Sequence, residues 1–239
     1  MISHQDKCVF VHLPKAAGQS IESVFVARHG LDWQQRQALL LKPNSDPAQG
    51  PPRLAHLTAQ EYLDYGYLTP GQFQQYFKFA FVRNPWSRLV SEYHYRRLHG
   101  DHAYQLDFKA FLFGHFPTPD CDDHVLGKDY YRHVLPQWRF LYDEQEQCLV
   151  DFIGKFETLQ QDFSRVCQLL NIPPQTLPHK NKTLASGVKQ RIKQKMKSIF
   201  PWMEKKRHYT CFFDEESRDF VGELYKKDIE LFQYRFGAE

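Results

Sequence analysis

Three apolar runs punctuate the chain. Each is followed by a polar or small-residue turn and then by apolar positions at helical spacing. Residues 8–13, CVFVHL, lead through Pro14-Lys15-Ala16-Ala17-Gly18-Gln19-Ser20 to Ile21, Val24 and Phe25. Residues 77–82, FKFAFV, lead through Arg83-Asn84 to Leu89, Val90 and Tyr93. Residues 148–156, CLVDFIGKF, lead through Glu157-Thr158 to Leu159, Phe163, Val166 and Leu170. Short apolar, β-branched and aromatic runs read as buried strands, and recurrence every three to four residues reads as a helix face. Asn84 and Thr158 suit helix N-caps, and Pro85 suits a first helical turn.

The stretches between are less regular. Residues 31–53 are polar and proline-marked and predict a loop, because Pro51-Pro52 disfavours helix before it. Residues 54–57 predict a short strand. Thr58 then predicts a helix start, with Glu61 as its capping-box partner. Pro70-Gly71 predicts a turn. Asp214 predicts the cap of a last helix that packs Phe220, Val221, Leu224 and Phe232 inward. Lys189, Arg191, Lys193, Lys195 and Lys197 form a basic run that predicts a solvated helix, with a lid or anionic-acceptor surface as the alternative.

Composition narrows the class only broadly. The 239 residues suffice for one sizeable core, and a single domain over 1–239 is expected. With 42% hydrophobic and 25% charged residues the chain has the make-up of a globular protein. A net charge of +3 argues against a general nucleic-acid binder. The five cysteines are scattered without a CxxC pair, which argues against a zinc cluster or disulfide framework. No apolar signal region and no membrane-length run occurs, so a cytoplasmic protein without a membrane span is expected.

Candidate chemistry begins at residues 14–20. A strand, a loop of small residues and a helix make an anion site: the helix's first N–H groups are unpaired and its dipole favours negative charge. Lys15 adds a cation and Ser20 a hydroxyl. The loop is not GxxxxGK[ST], because its lysine precedes the glycine.

That order, His12-Leu13-Pro14-Lys15-Ala16-Ala17-Gly18-Gln19-Ser20, resembles the HxPKTGGTS loop of carbohydrate-type sulfotransferases, the branch that includes heparan sulfate 2-O-sulfotransferase and related bacterial members. These enzymes use PAPS (3′-phosphoadenosine 5′-phosphosulfate). Ala16, Ala17 and Gln19 depart from the common form. The run FAFVRNPWSRLVSEY resembles the branch's 3′-phosphate motif, which places Arg83 and Ser91 on that phosphate. Arg can grip a phosphate through two parallel hydrogen bonds. Residues 150–157, VDFIGRFE-like in sequence, the upstream Gln137 and the Asn181-Lys182-Thr183 element also resemble the family.

The resemblance implies an α/β fold of three layers, P-loop-like, with helices flanking a central parallel sheet. It implies transfer of sulfonate from PAPS to a hydroxyl of a glycan or glycolipid acceptor, without a metal. Lys15, Ala16, Ala17, Gly18, Gln19, Ser20, Arg83 and Ser91 would hold the cofactor, and Lys15 would neutralise charge on the leaving phosphate. His56 would be the general base, since heparan-type members carry a base histidine between the two phosphate motifs; unperturbed, it would titrate near ~6.5. Two other classes remain: a small-molecule kinase, for which neither a Walker loop nor magnesium ligands are visible, and a non-catalytic polyanion- or nucleotide-binding protein. His94, His99, His102, His115, His124 and His133 offer a metal site as one reading, since His is the commonest metal ligand, but show no HxxxH or HExxH spacing and are read in preference as surface or packing residues.

Overall fold

The computed structural model describes residues 1–178 and 208–238. Asn181-Lys182-Thr183 and the basic run 189–197 lie outside the described residues. The sheet has four strands in spatial order β1-β2-β3-β4: β1 Ile2–Ser3, β2 Cys8–Val11, β3 Phe77–Val82 and β4 Phe152–Lys155. β1 pairs antiparallel with β2, whereas β2, β3 and β4 run parallel. Phe10 sits opposite Phe79, and Phe79 opposite Phe152, so an aromatic row crosses the sheet. β2 and β3 are buried almost throughout, as continuous apolar runs require when both faces are covered.

Helix α1 (Gly18–Arg28) follows β2, α4 (Pro85–Leu98) follows β3, and α8 (Leu159–Leu169) follows β4. Between α1 and α4 lie the short α2 (Glu61–Asp64) and α3 (Pro70–Gln75). Between α4 and β4 lie α5 (Phe108–Gly114), α6 (Tyr130–Val134) and α7 (Trp138–Leu141). One buried cluster lines the sheet. A second packs Trp86, Leu89, Val90 and Tyr93 of α4 against Tyr104, Phe108 and Phe111 and against Tyr209, Val221 and Tyr225 near the chain's end.

The three strand-to-helix units stand where the pattern predicts them, but the strands are shorter. β4 keeps only residues 152–155 of the run from 148. β1 escaped the sequence reading, because two residues carry no periodicity. Residues 54–56 form a 3₁₀ turn rather than a strand, which bends His56 under the end of β2. Pro70 opens α3 instead of a turn, with Thr69 as cap and Gln72 closing a capping box; proline at the first helical position loses no hydrogen bond. Asn84 caps α4 by accepting from Ser87 N. The Thr58–Glu61 box forms as expected. Thr158 does not cap α8; its hydroxyl donates to Asp162 instead. Asp214 caps the helix Glu215–Leu224, but a second helix, Lys226–Phe232, follows it. Val221 and Phe232 face inward, whereas Phe220 and Leu224, an i, i+4 pair on a different face of the helix that carries Val221, are each 36% exposed.

Candidate active site

Two corners at the C-terminal ends of β2 and β3 make the site. In the first, the chain leaves β2 and turns through Lys15 (φ 67°) and Ala17 (φ 69°), both in the left-handed region that costs a residue with a Cβ. α1 then begins at Gly18 with no side-chain cap and no acidic residue in its first turn. Its first N–H groups are therefore not closed by a capping side chain. Gly18 cannot carry a side chain, since a Cβ there would overlap the His12 imidazole. His12 Nδ1 lies 2.6 Å from Glu22 Oε1, pinning the strand end to the second turn of α1. Ala16 and Ser20 are buried, Ala17 is half-buried and Gln19 is exposed. The Lys15 ammonium lies 4.0 Å above the ring centroid of Tyr95. Burial lowers its pKa from 10.5 to about 8, with Glu92 opposing the shift and Arg83 and Arg96 adding to it.

The second corner is held from several sides. The Arg83 backbone is gripped by Gln137, whose Oε1 accepts from Arg83 N and whose Nε2 donates to Arg83 O, both at 2.8 Å. The guanidinium donates through Nη1 to Lys15 O (3.1 Å) and through Nε and Nη2 to Ser87 Oγ (3.2 and 2.9 Å). It also stacks over Phe156, 4.1 Å from the ring centroid. Lys15 and Arg83, 68 residues apart in sequence, thus share one rim. Ser91 is half-buried on α4, one turn beyond Ser87. Arg88 is buried and ties the corners together: its Nε donates to Pro14 O (3.1 Å), and its Nη2 to His133 O (2.8 Å) and Leu135 O (3.0 Å).

Beneath the loop lies a row of three buried imidazoles. His12 and His56 have ring centroids 4.5 Å apart, and His56 and His133 5.0 Å. His56 Nδ1 donates to His12 O (3.2 Å), which leaves its Nε2 lone pair open and 3.8 Å from Asp129 Oδ2. Burial, then His12 and His133, hold the His56 pKa well below 6.5, so the ring is neutral at neutral pH and does not titrate near its ordinary value. His133 Nδ1 meets Glu92 Oε2 at 2.8 Å, and Glu92 and Asp129 both bind Arg96. Burial alone would lower the His133 pKa, but Asp129 and Glu92 outweigh it and raise it. Burial alone would raise Glu92, yet His133, Arg96 and Lys15 hold it at about 2.

Sequence reasoning singled out Lys15, Gly18, Arg83 and His56, which the structure brings to the two corners and the row beneath them, did not single out Glu92, Asp129 and Ser87, and read His133 as packing or surface. Ser87 could have been found from its four-residue step to Ser91 on α4, four residues after Arg83. His133 lies on α6 and Asp129, four residues earlier, just precedes that helix, yet nothing local says that this face meets residue 56.

The profile of the sulfotransferase family matches residues 1–235. Carbohydrate sulfotransferase 14 of Mus musculus is 32% identical over 117 residues, which cover 42% of this chain and 30% of that protein. The protein of the same name from Homo sapiens matches equally, 32% over 117 residues. An uncharacterized protein of Archaeoglobus fulgidus is 29% identical over 102 residues, covering 42% of this chain and 72% of that protein. The matched stretch spans about 30% of the length of the two carbohydrate sulfotransferases.

Proposed function

The chain belongs to the sulfotransferase family, and on that premise we propose that it transfers the sulfonate of PAPS to a hydroxyl of a carbohydrate acceptor. The observation that carries the reading is the joining of the two corners, with the Arg83 guanidinium on the Lys15 carbonyl at the C-terminal ends of neighbouring parallel strands. Open α/β sheets bind nucleotides at that edge, and a P-loop-like arrangement fits the strand–loop–helix at 8–28. The uncapped start of α1 and Lys15 would take the 5′-phosphosulfate, and Arg83 with Ser87 and Ser91 would take the 3′-phosphate. The likeness to proteins named carbohydrate sulfotransferase supports a glycan as acceptor.

In the proposed reaction the acceptor hydroxyl gives its proton to His56 Nε2 while its oxygen bonds to sulfur. The sulfur–oxygen bond to the 5′-phosphate breaks, and Lys15 neutralises the phosphate as it leaves. His56 suits the base role because its Nδ1–H is committed to His12 O and its ring is neutral. Thermal-shift measurements with PAP (the desulfated product), PAPS, ADP and ATP test the donor: stabilisation by PAP and PAPS but not by ATP is expected. Transfer of labelled sulfonate to a glycan panel tests the reaction. His56→Ala is expected to keep PAP affinity and lose ~10²–10⁴ in rate. Stabilisation by ATP alone would sink the donor assignment, and near-normal turnover of His56→Ala would remove His56 as base.

A further inference from the structure

We propose that His56, Asp129 and His133 form a binding site for one divalent transition-metal ion, zinc by the chemistry of its donors. The site stands without the sulfonate-transfer reading but shares His56 with it. One atom from each of the three side chains lies within 4.8 Å of the other two, and all three residues are buried. Asp129 Oδ2 and His133 Nε2 have no hydrogen-bond partner among the described residues. They lie 3.2 Å apart but off the line that a hydrogen bond needs. Asp129 Oδ2 stands 3.8 Å from His56 Nε2. Two ligands about 2.0–2.1 Å from a tetrahedral ion stand roughly 3.4 Å apart, so these separations match a shared ion with small adjustment.

The outer contacts of the two histidines are those of metal ligands. His56 Nδ1 donates to a backbone carbonyl and His133 Nδ1 to the Glu92 carboxylate. Such bonds commit the Nδ1–H of each ring outward, so that Nε2 is the atom left facing inward to ligate, and they raise ligand basicity. Arg96 takes Asp129 Oδ1 and leaves Oδ2 for the ion. The Arg53 side chain, 45% exposed, comes within 3.7 Å of Oδ2 from the solvent side. The ion would displace the proton on His133 Nε2 and release it to solvent. Two imidazoles and one carboxylate favour zinc or a similar ion over magnesium or calcium, and three protein ligands leave a fourth position for water. Because the ion would use the lone pair of His56, metal occupancy and service as a base exclude each other.

The test is calorimetric titration of the chelator-treated full chain with Zn²⁺, alongside Co²⁺, whose visible absorption reports four-coordinate ligation. One ion per chain and a four-coordinate cobalt spectrum are expected. His56→Ala and His133→Gln should each weaken zinc by about 100-fold or more, and Glu92→Gln, which acts through His133, by ~10–100-fold. Thermal melts establish that the variants fold; should one fail, the wild-type stoichiometry and cobalt spectrum decide. No stoichiometric binding, or binding that folded His56→Ala and His133→Gln leave within twofold, overturns the site. Zinc bound one to one without loss of sulfonate transfer leaves the metal site standing and removes His56 from the base role.

Discussion

At the scale of single residues, Lys15 carries the most consequence. Its backbone sits in the left-handed region and its ammonium rests on Tyr95 rather than on a carboxylate. A cation–π contact holds the charge without neutralising it, so an arriving phosphate still finds a cation. Burial lowers its pKa to about 8, which sets the sign of a pH effect. Below that pH the amine is charged and would attract the 5′-phosphate of the proposed donor; above it the charge is lost. PAP affinity, measured by calorimetry, is therefore expected to be flat from neutral pH to about 8 and then to fall by up to about tenfold per pH unit, until the pKa of the complex is passed. Lys15→Met should bind more weakly and lose this dependence. A wild-type affinity still flat well above that pH would show that Lys15 does not meet the phosphate.

Among the elements, α4 does more than supply Arg83's neighbours. It sends Arg88 back to the Pro14 carbonyl and across to the carbonyls of His133 and Leu135. One buried guanidinium thus fixes the anion loop against the segment that carries the histidine row. Bonds from a charged donor contribute roughly 1.5–3 kcal/mol each, and they are not additive when they share one group. Arg88→Met, which keeps the stem's volume, is expected to cost about 3 kcal/mol in urea denaturation, because buried carbonyls lose their donor. PAP should also bind less tightly, since Pro14 precedes the loop. A cost below about 1 kcal/mol would mean that water or neighbouring donors replace the guanidinium.

For the whole molecule, the ties between its two buried clusters matter most. Asp228, near the chain's end, accepts from the backbone N–H groups of Gln137 and Trp138, both at 2.8 Å. Asn84 Nδ2 donates to Arg235 O. Gln137 in turn holds Arg83. Such links between the sheet and the α4 cluster should make the chain unfold as one unit, as a single domain would. Scanning calorimetry is expected to show one transition whose calorimetric and van't Hoff enthalpies agree. Two resolved transitions would divide the chain between the clusters.

The sequence by itself determined the three strand–turn–helix units and the two phosphate-type corners. Each is a local pattern: an apolar run, small or capping residues, then helical spacing, so the residues that signal it are the residues that build it. Gly18 and Lys15 were legible for that reason, as was Arg83 at the end of its strand. The tertiary structure alone decided what fills the space between the corners. His12, His56 and His133 come from three separate segments, and their row exists only because β2, the turn at Leu54–His56 and α6 are packed together. The partners that set their chemistry, Glu22, Glu92 and Asp129, are likewise brought in by packing. Burial, which lowers His56, and paired carboxylates, which raise His133, are properties of that packing and leave no trace in local spacing.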